Sequence, residues 1–176
     1  MKNKAILTIM CGLARCGKST WVAKNKKDAV VVSPDEVRAT IFGHQYHLDA
    51  EEFVWSVTNA MIKLLLDQGK SVIVDATSTT DFSRDKLINI ARKRKLKIRI
   101  VWIKTSLAEC QRRNAKSAEG KKLPEEALDR MARNFEDPVY CDKDVEVIEI
   151  PKDQYIRVRM GNYYQIEVEY IYEKTI

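Results

Sequence analysis

The nine residues Gly12-Leu13-Ala14-Arg15-Cys16-Gly17-Lys18-Ser19-Thr20 place glycine, lysine and hydroxyl side chains at the spacing GxxxxGK[ST]. That spacing suits the grip of a polyphosphate. Glycines let successive backbone N–H groups curl around phosphate oxygens, and a helix starting at the end of the loop points its positive end at the same anion. Lys18 then reaches the outer phosphates, and the Ser19 hydroxyl is placed to ligate magnesium. The chain is expected to bind a nucleoside triphosphate, ATP or another, together with Mg2+. The cradle comprises Gly12, Arg15, Cys16, Gly17, Lys18, Ser19 and Thr20.

Three further groups could complete a phosphoryl-transfer site. Asp75 ends an apolar run, where an acidic partner of the phosphate loop holds magnesium directly or through water, and Thr77 borders the same crevice. Ser33-Pro34-Asp35-Glu36-Val37-Arg38 follows a second apolar run. Ser33 suits an N-cap, Pro34 the first helical position, and Glu36 a capping box, which alone explains the segment as a helix start. Asp35 and Arg38 also share a helix face. A carboxylate there can orient or deprotonate an attacking hydroxyl, and a guanidinium can grip an adjacent phosphate. The two readings are compatible. Finally, Arg112 to Lys122 reads as a basic, polar tip between two helices, either a solvated surface loop or a lid that brings arginine to the transferring group.

Other patterns carry less. Asn25-Lys26-Lys27-Asp28 spells a guanine-reading NKxD string but lies at the end of the first helix, so a GTPase is not expected. His44 and His47 have metal-like spacing without a third ligand, and face solvent or line the acceptor pocket. Trp21, Trp55 and Trp102 suit core packing better than stacking on bases. Cys11, Cys16, Cys110 and Cys141 show no CxxC spacing or disulfide framework, which points to reduced thiols. The net charge of +6 favours anionic partners, and much of it lies in Arg92–Arg99 and Arg112–Lys122. The first of these runs reads as a solvated helix end. No apolar run is long enough to cross a bilayer, and the early phosphate loop leaves no room for a secretory leader, so a cytoplasmic protein is expected.

Those side chains need a scaffold, and the 176 residues suit one domain. Strands are expected at 5–10, 29–32, 71–75, 98–103 and 145–150. Helices are expected at 21–27, 34–42, 49–68, 81–95, 106–116 and 124–135. In the 49–68 helix, Phe53, Val57, Met61, Leu64 and Leu65 form the expected core face, and Ser106 with Glu109 a second capping box. Alternating strands and helices imply an α/β fold, a parallel five-stranded sheet between helices with its ligand at the carboxyl ends of the strands. A helical lid is expected at about 112–124. Residues from about 155 to 173 read as a C-terminal β-hairpin turning at Gly161-Asn162, with edge cover, dimerisation or substrate contact as open roles. A homo-oligomer through this hairpin is one expectation.

The chain resembles the kinase domain of the phage-type polynucleotide 5′-hydroxyl kinases, within the P-loop kinases that include zeta-toxin-like enzymes. The matching pieces are AILTIMCGLARCGKSTW (5–21), SPDEVR (33–38), VDATSTTDFSR (74–84), QRRNAK (111–116) and LPEEALDRMARNFEDPVY (123–140). The resemblance implies a P-loop NTPase fold and ATP-dependent phosphorylation of a 5′-hydroxyl on DNA or RNA. It implies Lys18 and Ser19 on phosphates and magnesium, Asp35 as general base, Arg38 on the acceptor's phosphate and Arg113 as the transition-state arginine. Asp75, Thr77 and Arg84 would border or hold substrate. No DxDGT motif occurs, so the phosphatase of many such enzymes is not expected, and the hairpin has no clear counterpart. Two alternatives stand beside this reading: a kinase of a nucleoside, nucleotide or sugar, and a nucleotide-dependent switch that catalyses little.

Overall fold

A computed structural model describes residues 5–43, 48–118, 121–151, 155–160 and 166–171, with side chains throughout except at Leu48 and in the last two segments. His44 and His47 lie outside the described residues.

Five strands, β1 (Ile6–Cys11), β2 (Val30–Val32), β3 (Val72–Val74), β4 (Lys97–Lys104) and β5 (Val145–Pro151), form one sheet in the order β2-β3-β1-β4-β5. Every pairing is parallel, with Ile9 opposite Val74 on one side and Ile100 on the other. Their Val- and Ile-rich runs suit a sheet buried on both faces. One face packs against α3 (Glu51–Asp67) and α4 (Asp81–Arg92) through Ile62, Leu66, Leu87 and Ile88. The other packs against α1 (Lys18–Asn25), α5 (Leu107–Ala115) and α6 (Glu125–Arg133) through Val22, Cys110 and Leu128. A short helix, α2 (Pro34–Phe42), follows β2, and a 3-10 turn, Leu48–Ala50, precedes α3.

Helix starts follow the sequence with one recurrent difference. Ser33 and Ser106 accept from the N–H groups of Glu36 and Glu109, which is the backbone half of each expected capping box. The Glu109 carboxylate pairs instead with Arg112 and Arg113, stronger partners than a backbone N–H. The complete box is at α4, where Thr80 and Ser83 bond reciprocally. Pro124 occupies the N-cap of α6 rather than its first turn.

The core face of α3 is a correction. Val54, Thr58, Ile62 and Leu66 are buried, whereas Phe53, Met61 and Leu64 are exposed, Leu64 by 63%. Thr58 hides in the buried stripe because its hydroxyl donates to the Val54 carbonyl at 2.7 Å, so the core needs no apolar residue there. The outward stripe is the more apolar of the two, and periodicity alone chooses it.

The last strands, β6 (Tyr155–Met160) and β7 (Ile166–Ile171), pair antiparallel as expected. A two-residue Gly161-Asn162 connection would set Met160 opposite Tyr163. The register sets it opposite Ile166, so the connection spans 161–165, outside the described residues. Among the described residues no helix is long and apolar enough to cross a membrane.

Candidate active site

The phosphate loop joins β1 to α1 at the carboxyl edge of the sheet. Gly12 has φ +143°, and a Cβ there would lie 2.7 Å from Cys16 Sγ and 2.9 Å from the Ile103 carbonyl oxygen. Gly17, at φ +112°, forms the N-cap of α1. Both positions need the conformations that only glycine adopts cheaply. Arg15 is a non-glycine residue in the left-handed region, at φ 66°. The loop is pinned from outside: the Gly12 N–H donates to the Thr77 carbonyl at 3.0 Å, and the Thr105 hydroxyl to the Cys16 carbonyl at 2.9 Å.

Lys18 is buried, and its Nζ donates to the carbonyls of Gly12 (3.1 Å) and Leu13 (2.7 Å). An ammonium held at the mouth of the loop by neutral carbonyls has strong reason to turn to phosphate oxygens. Ser19 and Thr20 are exposed in the first turn of the helix. Beside them Asp75 follows β3. Burial raises its pKa above the ordinary carboxylate range, while a hydrogen bond from Ser19 and the charge of Lys18 act the other way. The charge of Asp35 raises it further, so Lys18, Ser19, Asp75 and Asp35 share one electrostatic neighbourhood. A hydroxyl and a carboxylate in contact offer the oxygen ligands a hard divalent cation takes, so this pair fits Mg2+. Burial also pushes the Cys11 thiol up to about 11, so it stays protonated. Of the four cysteines, Cys141 alone is exposed.

A cavity of about 550 Å³ opens beside the cradle, lined among others by Arg15 to Trp21, Lys24, Arg113, Ile150 and Pro151. Trp21, expected in the core, lines this cavity. Asn25 borders it too, with its side-chain amide bonded to the Trp21 carbonyl at 2.8 Å.

The lid expectation places both helices over the loop, and the structure separates its two arginines. Arg113 Nη1 donates to the carbonyls of Arg15 (3.2 Å) and Cys16 (3.1 Å) while Nε holds Glu109 at 2.9 Å. Arg112 pairs with Glu109 from the exposed side and touches no loop carbonyl. The turn between α5 and α6 is closed by Asn114, whose side-chain amide bonds the Leu123 carbonyl (2.7 Å) and N–H (3.0 Å). Arg15 donates to the Lys121 carbonyl, joining cradle to tip.

On the opposite side, Asp35 is 88% exposed in the first turn of α2, and Arg38 Nη1 donates to it at 2.6 Å. Arg38 is also held bidentately by Glu51, at 2.7 and 2.8 Å. Sequence reasoning missed Glu51, whose location follows α2 by a whole connection. Phe42 and Phe53 pack edge to face beside this group, centroids 6.0 Å apart.

One expected contributor lies elsewhere. Arg84, expected on substrate, is fully buried among protein groups. In the basic run that ends α4, the three arginines are paired: Arg92 with Asp142 and Asp144, Arg94 with Asp67, and Arg99 with Glu146.

A cradle of this geometry at the centre of a parallel sheet, with a helical hairpin beside it, is that of a P-loop kinase-like α/β fold. The AAA_33 family (AAA domain) matches residues 7–138, and the chain belongs to that family. An L-seryl-tRNA(Sec) kinase of Methanococcus maripaludis is 30% identical over 142 residues, covering 76% of this chain and 53% of that protein. A chain of the Pnkp1/Rnl/Hen1 RNA repair complex superposes with a TM-score of 0.68 at 24% identity, covering 76% of this chain and 45% of the other. A gluconokinase from Sinorhizobium meliloti gives 0.55 at 18% identity, covering 83% and 82%. The chain thus spans about half the length of the first two relatives, and the structural likenesses show the fold alone.

Proposed function

We propose that this protein transfers the γ-phosphate of ATP, as its magnesium complex, to a 5′-hydroxyl of a polynucleotide, with Asp35 as general base. The observation that carries the reading is the convergence of Asp35 and Asp75. Two carboxylates leaving neighbouring strands influence each other, one against the Ser19 hydroxyl and the other exposed beside a guanidinium. The inner carboxylate suits the metal, and the outer one an incoming hydroxyl.

Lys18 exchanges its loop carbonyls for the outer phosphates, which neutralises charge where it develops. Ser19 and Asp75 would hold Mg2+, which when bound would offset the negative charge of the phosphates. Asp35 orients the acceptor hydroxyl and takes its proton late, as a loose transition state permits. Arg113, already over the Cys16 carbonyl, needs only to swing from backbone to phosphoryl oxygens. Arg38 would steady the acceptor's phosphate, and Arg15 and Thr20 line the cradle.

Occupancy of Arg38 favours a second reading. Glu51 holds two of its donors, and a small acceptor without a neighbouring phosphate leaves that pair intact. The relatives span both kinds of acceptor, an L-seryl-tRNA(Sec) kinase and a gluconokinase among them.

The test is transfer of labelled γ-phosphate to short DNA and RNA oligonucleotides ending in a 5′-hydroxyl, against gluconate, nucleosides and seryl-tRNA. The expected result is labelling of oligonucleotides, reduced about 10²-fold or more in Asp35→Asn. Labelling of the small acceptors only refutes the substrate class, and full activity in Asp35→Asn refutes the base.

A further inference from the structure

Arg84 is a fully buried guanidinium whose partners come from four segments. Nη1 donates to the Ser78 carbonyl at 2.9 Å and to Cys11 Sγ, at the end of β1, at 3.5 Å. Nη2 donates to the Asp81 carboxylate, at the start of α4, and to the Glu136 carbonyl at 2.7 Å. Nε donates to the Tyr140 hydroxyl at 3.2 Å, and that hydroxyl in turn faces Asp81 at 3.4 Å. An ion pair with Asp81 would need only the helix end. This side chain instead gathers two backbone carbonyls from two different loops.

Both loops lead to the site. Ser78 has φ +40°, a left-handed conformation that costs a non-glycine residue about 1 kcal/mol and persists only where neighbours over-determine it. Its own buried Oγ has no hydrogen-bond partner, so the side chain does not pin it. Its carbonyl is pinned, by Arg84 and by the Cys11 thiol at 3.4 Å. One residue back, the Thr77 carbonyl accepts the Gly12 N–H, and Asp75 opens the same stretch. On the other side, the Glu136 N–H donates to the Thr79 carbonyl at 2.9 Å, and the Glu136 carboxylate takes the Asp81 N–H. Glu136 is in the chain that leaves α6, the second helix of the lid.

We propose that Arg84 is a positioning residue that locks the 75–80 loop to the segment leaving the lid, so that the Gly12 amide, the metal-side carboxylate and the lid move as one unit. Arg84 touches neither nucleotide nor acceptor. It acts through Ser78 and Glu136, and a lysine retains the charge but cannot span all these acceptors. The nucleotide arm of the test rests on the phosphate-loop reading above, and the exchange arm does not.

The experiment is amide hydrogen exchange on the full chain without ligand, comparing wild type, Arg84→Lys and Ile88→Ala, a core truncation on the same helix. The expected result is that Arg84→Lys speeds exchange of both Gly12 and Glu136 about tenfold relative to the Ile100 amide, as losing charged hydrogen bonds permits. Ile88→Ala should leave those ratios unchanged. Titration calorimetry with a non-hydrolysable ATP analogue adds the second arm: the Mg2+-dependent part of its affinity falls about tenfold, while binding in EDTA changes little. Adding Ser78→Gly, which takes the left-handed conformation without strain, should recover part of the loss. Should Arg84→Lys fail to fold, Tyr140→Phe removes one acceptor and should show the same paired exchange signature at about threefold. Exchange no faster than in Ile88→Ala, or rising at only one of the two amides, overturns the proposal. A wild type that binds no nucleotide refutes the proposed function, and the exchange ratios still judge Arg84.

Discussion

At the carboxyl edge of the sheet, the side of β1 that faces β4 is closed, and the side that faces β3 and β2 is open. On the closed side, Lys18, Arg113 and Thr105 bond loop carbonyls directly, and glycine at position 12 admits the Cys16 sulfur. On the open side, Asp35 projects into solvent, Arg38 is shared between two carboxylates, and Ile41, Phe42 and Phe53 lie exposed. A polyphosphate has one chemistry and is met by a rigid, backbone-rich cradle. Acceptors differ, and on the proposed function they would be met by side chains on two helices.

That contrast can be broken most sharply by adding a single methyl group. Gly12→Ala is expected to cost about 3 kcal/mol in urea denaturation, because the new carbon meets Cys16 and Ile103 with the backbone at φ +143°. Ile41→Ala on the open side should cost no more than about 1 kcal/mol, and equal losses would erase the distinction.

Glu51→Gln refines the open side. Losing the charge and one of the two acceptor oxygens loosens the grip on Arg38, so a phosphate-bearing oligonucleotide should bind about tenfold tighter in equilibrium titration. An acceptor without phosphate should show no gain, and a loss for both would make the Glu51–Arg38 pair purely structural.

The smallest effect lies at the boundary between the sides. Because burial raises the pKa of Asp75, its ionisation works against the fold, and the penalty grows as pH climbs through the raised value. Asp75→Asn should therefore melt slightly higher than wild type at neutral pH. The difference should vanish below the ordinary carboxylate value of 3.8, where both forms are uncharged. Melting curves at several pH values check this, and the variant should lose Mg2+-dependent nucleotide binding.

The closed side was the more legible in sequence, for a physical reason. Backbone-driven features leave fixed signatures: Gly12, Gly17 and Lys18 are dictated by loop geometry, and even on the open side Ser33 and Pro34 mark the start of α2, which spans the residues expected. Features that depend on long-range partners left none. Nothing in Arg84 foretells that Glu136 and Tyr140 will surround it. Nothing in Arg92, Arg94 or Arg99 foretells their carboxylates, so the arginines of a run that reads as cationic surface become ion-paired. The α3 face failed because its buried stripe contains Thr58 and its exposed stripe does not.

Of the three indoles, Trp21 borders the nucleotide cavity, whereas Trp102 is stacked on Phe135 beneath Lys104. The chain therefore carries its own optical gauge. Filling the cavity changes the surroundings of one tryptophan while Trp102 supplies a steady background, so emission from unlabelled protein can report occupancy in real time.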